Sequence, residues 1–407
     1  MRLLIAHNFY QQPGGEDEVF AAEVALLERF GHEVRKFEAD NDAIDSMGKL
    51  AALKATIWNK NSYRAMRQAV REHRAQVVHF HNTFPLISPA AYQAAHDEGA
   101  AVVQTLHNFR LLCPSAVFFR EGKVCEDCLG KRFAWPGIVH KCYRGSTAAS
   151  AAVAAMSSIH RMKGTWHNAV DLYLAPTEFA RQKFIEGGFP ADRIVVKPNF
   201  LDPDPGIGAG DGGYAIFVGR LSHEKGLETL IQAWARLAEV PLKIVGDGPL
   251  APMVQLVALT RGIEWLGRQP AQRVLELIGA ATALIFPSRC YETFGRVAVE
   301  AFARGTPVIA SNHGAMADVV RHDQTGLLFS PGNSGALVHA IRTLHSDAKM
   351  QMRMRHAARA EYEQKYTGAA NHAMLINAYN QAIARMSPAT TAFPSIPTAS
   401  TALVEQK

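Results

Sequence analysis

Two runs of alternating short apolar strands and helices, one on each side of a segment crowded with proline and glycine, constrain this chain more than any other feature. Residues 2–6, 33–37, 75–79 and 101–105 read as strands, with a helical pattern over 17–30. A second set runs through strand 214–218, helix 227–237, strand 242–245, helix 251–260 and strand 283–286. Strands that alternate with helices pair in parallel, because each helical crossover lets the next strand run in the same direction. The expected fold class is therefore α/β, with two doubly wound parallel sheets. Between the sets, Pro203, Pro205, Gly206, Gly208, Gly210, Gly212 and Gly213 break both periodicities, so 199–213 reads as a linker. The expected units are 1–198 and 214–347, then a helix over 348–385 and a disordered tail over 386–407 rich in Thr, Ser, Ala and Pro.

At 407 residues, 48% hydrophobic and 20% charged, the chain can bury two cores. A net charge of +6 suits an anionic ligand or an acidic surface. There is no amino-terminal signal pattern, and no apolar run nears the roughly eighteen residues a membrane span needs. A cytoplasmic location is expected, with access to the inner face of the membrane.

The chemistry concentrates where strand 283–286 gives way to a helix. Glu292 and Glu300 stand eight residues apart there, roughly 12 Å along a helix. Ligands bind at the carboxyl ends of strands in open sheets, and the helix start between the two carboxylates offers free N–H groups to phosphate. One extended ligand with a sugar at each end and phosphates between would satisfy both: a nucleoside-diphosphate sugar. In the first half, Gln12-Pro13-Gly14-Gly15 follows strand one, so the N–H of Gly15 can approach a phosphate or an acceptor oxygen. Glu16, Asp17 and Glu18, next in line, compete with an anion there. Asp202 and Asp204 lie in the linker around Pro203 and are not expected to hold a metal.

Around these residues stand Val218-Gly219-Arg220-Leu221-Ser222-His223-Glu224-Lys225-Gly226, Val245-Gly246-Asp247-Gly248-Pro249, Glu300-Ala301-Phe302-Ala303-Arg304-Gly305-Thr306-Pro307 and Gly326-Leu327-Leu328-Phe329. In this order they resemble the donor half of the retaining nucleotide-sugar glycosyltransferases of family 4, whose GT-B fold sets two Rossmann-like domains across a cleft. The likeness spans most of residues 1–385 and is strongest over 215–332. It implies no metal or other cofactor for catalysis, Arg220 and Lys225 on the diphosphate, Glu292 on the donor sugar, and Glu300 on the ribose. It also implies phosphate contacts from the backbone at Phe294 and Gly295, a base near Leu266, and His107 facing the donor sugar. The family's closing glutamate after Gly314 is Asp318 here, which leaves that loop's role open. Retention implies attack from the leaving group's own face, with the departing phosphate oxygen taking the acceptor proton and Glu292 orienting the sugar.

Four of the five cysteines, Cys113, Cys125, Cys128 and Cys142, fall in an insert over about 108–145. A Cys-x2-Cys pair with an outlying cysteine on each side has metal-ligand spacing, so structural zinc, reduced free thiols, and an iron-sulfur or redox role all stay open. Between 48 and 76, Lys49, Lys54, Lys60, Arg64, Arg67, Arg71 and Arg74 face one acid, Glu72, and interleave with Leu50, Leu53, Ile57, Trp58 and Met66. Such a segment could lie on an anionic leaflet and bring the site to a polyprenyl-linked glycan, or could be a solvated helix face. The reading is a sugar transferase acting on a surface glycan or lipid-linked acceptor, with no nucleic-acid partner. A nucleotide-sugar epimerase of similar lobes and a non-catalytic nucleotide-sugar binder are the rivals.

Overall fold

A computed structural model describes residues 1–11, 14–237, 239–258 and 262–386. Gln12, Pro13, the end of the helix expected over 251–260 and the tail from 387 lie outside the described residues. The first sheet contains β1 (Arg2–Phe9), β2 (Glu33–Asp40), β3 (Val77–Asn82) and β4 (Ala101–Thr105). A small antiparallel hairpin follows, β5 (Phe119–Arg120) and β6 (Lys123–Val124), before β7 (Leu172–Ala175) and β8 (Ile194–Val196) return to that sheet. Its order is β2-β1-β3-β4-β7-β8. The second sheet takes β9 (Ala215–Val218), β10 (Leu242–Val245), β11 (Ile263–Trp265), β12 (Ala283–Phe286), β13 (Val308–Ser311) and β14 (Gly326–Phe329), in the order β11-β10-β9-β12-β13-β14. All pairings within the two sheets are parallel. This is the GT-B arrangement of two Rossmann-like domains.

Both faces of the first sheet are covered, which is why its strands read as nearly continuous apolar runs. Leu4, Ala6, Val78, Phe80 and Val102 point to one core, while Leu3, Ile5, Val77, Ala101, Val103, Leu172 and Leu174 point to the other. That second face is sealed by Leu375, Ala378, Tyr379 and Ala382 on the helix Gly368–Met386, so the last helix of the chain completes the first lobe. The single helix expected over 348–385 is two, Ala348–Lys365 and Gly368–Met386. Thr367 interrupts it by accepting the Ala370 N–H at its hydroxyl, and a Cβ on Gly368 would fall 2.6 Å from Asp202 Oδ1. The proline and glycine segment is packed rather than free. Asp204 binds Arg359 at 2.6 Å, Asp202 binds Arg29 at 2.6 Å, and Gly208 lies against Gly279.

In each sheet the connections reverse direction at one pair of neighbouring strands, β1/β3 in the first and β9/β12 in the second. Loops leaving two adjacent strands toward opposite faces open a crevice there, so these two points locate the ligand sites.

Tyr379 is fully buried, and its hydroxyl lies 2.9 Å from His79 Nδ1. Tyr379→Ala is expected to cost about 3–5 kcal/mol in the denaturant-induced unfolding of the first lobe. A change under about 1 kcal/mol would show that this helix is not what closes the sheet.

Candidate active site

The two crevices share one cleft of about 960 Å³, within the size range of ligand pockets. Gly14, Gly15 and Glu18 line it from the loop and helix after β1. Gly219, Arg220 and Lys225 enter after β9, Gly246–Pro249 after β10, and Pro287, Ser288, Glu292, Gly295, Arg296 and Glu300 after β12. Its centre is an ion pair across the second switch point: Lys225 Nζ donates to Glu292 Oε1 at 2.6 Å. The same oxygen accepts from Ser288 Oγ at 2.7 Å and from the Cys290 thiol at 3.8 Å. Burial alone would raise the Glu292 carboxyl, but the Lys225 ammonium and these donors outweigh it and hold its pKa below the ordinary value. Burial likewise opposes the charge on Lys225, and Glu292 overcomes it, so the ammonium pKa is raised.

This apposition depends on Gly226. Its φ is +76°, and a Cβ would sit 1.9 Å from the Pro287 carbonyl oxygen, so only glycine lets the loop after β9 meet the loop after β12. Arg220, exposed in the cleft wall, makes no ion pair among the described residues. The helix Arg296–Ala303 begins at Gly295 without a side-chain cap, leaving its first N–H groups open toward the cleft. Arg296 spans the two lobes: Nε lies 3.2 Å from Glu300 Oε1, and the guanidinium also contacts Glu18. Burial raises the Glu300 pKa, with Arg296 opposing and the Glu18 charge adding to the rise.

The acids beside Gly15 are committed elsewhere. Asp17 accepts from His7 Nε2 and from the Gly14 N–H, both at 2.7 Å, and Glu16 accepts from Asn108 Nδ2 at 2.6 Å. Burial pushes the Glu16 carboxyl up to about 7. Two residues assigned to the donor lie outside the cleft lining. The Phe294 ring, in the loop just before the helix Arg296–Ala303, is core, 6.1 Å from that of Tyr366. Leu266 is partly buried against the second-lobe core, while Arg268 and Gln269, two and three residues on, line the cleft. Asp318, in place of the family's glutamate, accepts the Phe179 N–H at 2.6 Å and so joins the lobes. Thr177 and Thr293 add two more interlobe bonds: Thr177 Oγ1 donates to Thr293 O at 3.0 Å, and Thr293 Oγ1 to His107 O at 2.6 Å.

His107 faces a smaller cavity of about 50 Å³, with Thr56, His81, Asn82 and Arg110 among its walls. Behind it lies a buried cluster of histidines and an acid that is not apparent in the sequence. His107 Nε2 lies 3.0 Å from His81 Nδ1, and His81 Nε2 lies 3.3 Å from Glu23 Oε2. Glu23 also contacts the buried Lys197 and stands 3.7 Å from His79 Nδ1. Burial drives the His107 pKa well below its ordinary value, which keeps the imidazole neutral. Glu23, despite burial, is held well below the carboxylate range, chiefly by Lys197. With that ammonium already neutralising the carboxylate, the group orients histidines rather than inviting a cation.

Two facing Rossmann-like lobes, with cationic groups at the switch point of the second, define the GT-B class of nucleotide-sugar enzymes. Residues 22–205 match the family model "Glycosyltransferase Family 4", and residues 207–361 match "Glycosyl transferases group 1". The chain belongs to the family 4 glycosyltransferases. It is 28% identical over 235 residues to the sulfoquinovosyl transferase of Arabidopsis thaliana, covering 53% of this chain and 46% of that protein. The chain thus matches about half the length, or less, of the curated relatives. Among solved structures, the sucrose-phosphate synthase of Thermosynechococcus elongatus superposes with a TM-score of 0.70 at 17% identity, covering 94% of this chain and all of that one. HepE of Anabaena, solved with UDP-glucose, superposes at 0.66 and 19% identity, covering 93% of this chain and 99% of that one.

Glu23→Gln would leave the Lys197 ammonium buried without its partner. A loss of about 3–5 kcal/mol is expected at neutral pH by chemical denaturation. The Glu23 pKa is depressed in the folded state, so its contribution is complete above the ordinary carboxylate pKa and vanishes as pH falls through the folded value. The gap between wild type and variant should therefore narrow in acid, and a gap that widens in acid would contradict the assignment.

Proposed function

We propose that this chain transfers a hexosyl group from a nucleoside-diphosphate sugar to a hydroxyl of a surface glycan or a polyprenyl-linked oligosaccharide. The observation that carries the reading is the convergence of Arg220, Lys225 and the uncapped helix start at Gly295 on one cleft, with Glu292 and Glu300 along it. Cations and free N–H groups there would hold a diphosphate and stabilise the charge that gathers on it as the anomeric bond breaks. Glu292, ionised and aimed by Ser288 and Lys225, would take up sugar hydroxyls. Glu300, shared with Arg296, would take the ribose. HepE has been solved in complex with UDP and with UDP-glucose, which supports a nucleoside-diphosphate sugar as donor here.

We read the reaction as retaining. The bond from the anomeric carbon to the phosphate oxygen breaks, the bond to the acceptor oxygen forms on the same face, and the acceptor proton passes to the departing phosphate. No carboxylate need act as a covalent nucleophile.

We assign the acceptor to the His107 side. Thr56, near the end of the helix Lys49–Ile57, lines the His107 cavity, and that helix carries Leu50 at 74% exposure. The fold trims the basic segment seen in the sequence. Glu98 neutralises Arg67 and Arg71, and Met66 is buried, while Lys49, Lys54, Lys60 and Arg64 form no ion pair among the described residues. Exposed leucines beside unpaired lysines suit an anionic membrane surface, from which a lipid-linked acceptor would reach the cavity. No helix among the described residues is long and apolar enough to cross a membrane.

Donor identity is best found by thermal shift across a panel of nucleotide sugars, followed by transfer assays with and without acceptor. Glu292→Gln is expected to lower kcat by about 10²-fold with little change in donor Kd. Arg220→Ala should weaken donor binding about tenfold or more and slow turnover as well. Unchanged turnover in both variants would remove the site, and conversion of the donor without acceptor would favour an epimerase.

Flotation with vesicles tests the membrane face. Capture is expected to rise with anionic lipid and to fall in a Leu50→Ser, Lys54→Gln double variant. Capture indifferent to lipid charge would return the segment to a solvated face.

A further inference from the structure

We infer that Cys113, Cys125, Cys128 and Cys142 together bind one structural zinc ion, which rigidifies the insert against the loop that carries Glu292. The four thiols are separated by up to 29 residues in sequence, yet they line a single cavity of about 10 Å³. That is room for one atom-sized guest. None of the four is in a disulfide. A cubic iron-sulfur cluster needs far more space, whereas a single ion with four sulfurs at about 2.3 Å fits the donor set.

Local structure delivers each thiol from a tight turn. Cys113 closes a turn through its N–H to Phe109 O at 2.8 Å. The hairpin β5–β6 is extended by the Cys125 N–H to Phe118 O at 2.8 Å, and Cys128 follows one turn later. Cys142 ends the segment after Trp135–Val139, with its N–H on Gly137 O at 2.9 Å. Gly137 must be glycine for this closure, since a Cβ would fall 2.7 Å from Pro114 Cγ, next to Cys113. Binding releases the four thiol protons, and the closed ligand set leaves no open position for chemistry. Glu23, His79 and His81 are the group of described residues whose ligand atoms lie within 4.8 Å of one another. Among the described residues no three of the four sulfurs lie that close, so gathering them on one ion would take side-chain rotation around the cavity they line.

What the insert braces is visible at its edges. A Cβ on Gly122, at the tip of the hairpin, would lie 3.5 Å from Arg289, two residues before Tyr291. Phe118 packs edge-on to Tyr291, and Glu126 pairs with Lys183 at 2.9 Å. Lys183 in turn lies over the Tyr291 ring. The small insert has little core of its own, a condition under which a metal supplies folding energy.

The full chain should be purified under reducing conditions without chelator, then assayed for metals by plasma emission and for thiols in denaturant. One zinc per chain is expected. Cys290→Ser should keep it, while Cys125→Ser and Cys128→Ser should lose it. As a check that does not depend on those variants folding, wild type loaded with Co²⁺ should show thiolate-to-metal charge transfer and tetrahedral d–d bands. A folded wild-type chain with five reactive thiols and no zinc, iron in its place, or a disulfide among the four would each overturn the proposal.

Discussion

The contact between Lys225 and Glu292 organises the second lobe's end of the cleft. It joins the loop after β9 to the loop after β12, the two strands at which connectivity reverses. Neither group is favourable there alone, because each is disfavoured by burial and stabilised by the other. Such a pair contributes little net stability compared with apolar packing, but breaking it leaves a charge without a partner. It holds an ammonium and a carboxylate in fixed positions before any ligand arrives. Preorganised charge is what a reaction that builds negative charge on a leaving group needs, since no reorganisation then falls within the chemical step.

The lobes meet through two kinds of contact with different consequences. The helix Gly368–Met386 buries an apolar face on the first sheet, so the end of the chain ties the lobes together permanently. Across the cleft itself, among the described residues, the polar contacts are Arg296 to Glu18, Asp318 to Phe179 N–H, Thr177 to Thr293 O and Thr293 to His107 O, beside which the Tyr291 ring packs on Phe179. The cysteine insert adds a third support, beside the glutamate loop instead of behind the sheet.

The sequence revealed the architecture more fully than the individual positions. Alternating strands and helices implied two parallel sheets, and Gly219, Arg220, Lys225, Glu292, Gly295 and Glu300 all line the cleft. Phe294 was named for its backbone, and its ring belongs to the core, while Leu266, named as a neighbour of the base, is partly buried against that core. The buried cluster of Glu23, His81 and His107 stayed hidden for a different reason. His79, His81 and Asn82 are polar residues inside a strand, and a period-two pattern of apolar residues cannot register them. Their pairing with Glu23 on the helix Gly15–Arg29 and with Lys197 after β8 depends on sheet order, which local periodicity does not encode. Glu98, far from the basic segment in sequence, likewise neutralises Arg67 and Arg71 only once the helices are folded together.

The central claim is that a diphosphate sits between Arg220, Lys225 and the helix start at Gly295. A crystal structure with a bound nucleoside diphosphate tests it most directly. The account expects phosphate oxygens within hydrogen-bonding distance of Arg220, of Lys225 and of the first N–H groups of the helix Arg296–Ala303, with the ribose at Glu300. Phosphates bound at another surface, with this cleft left to solvent, would contradict it.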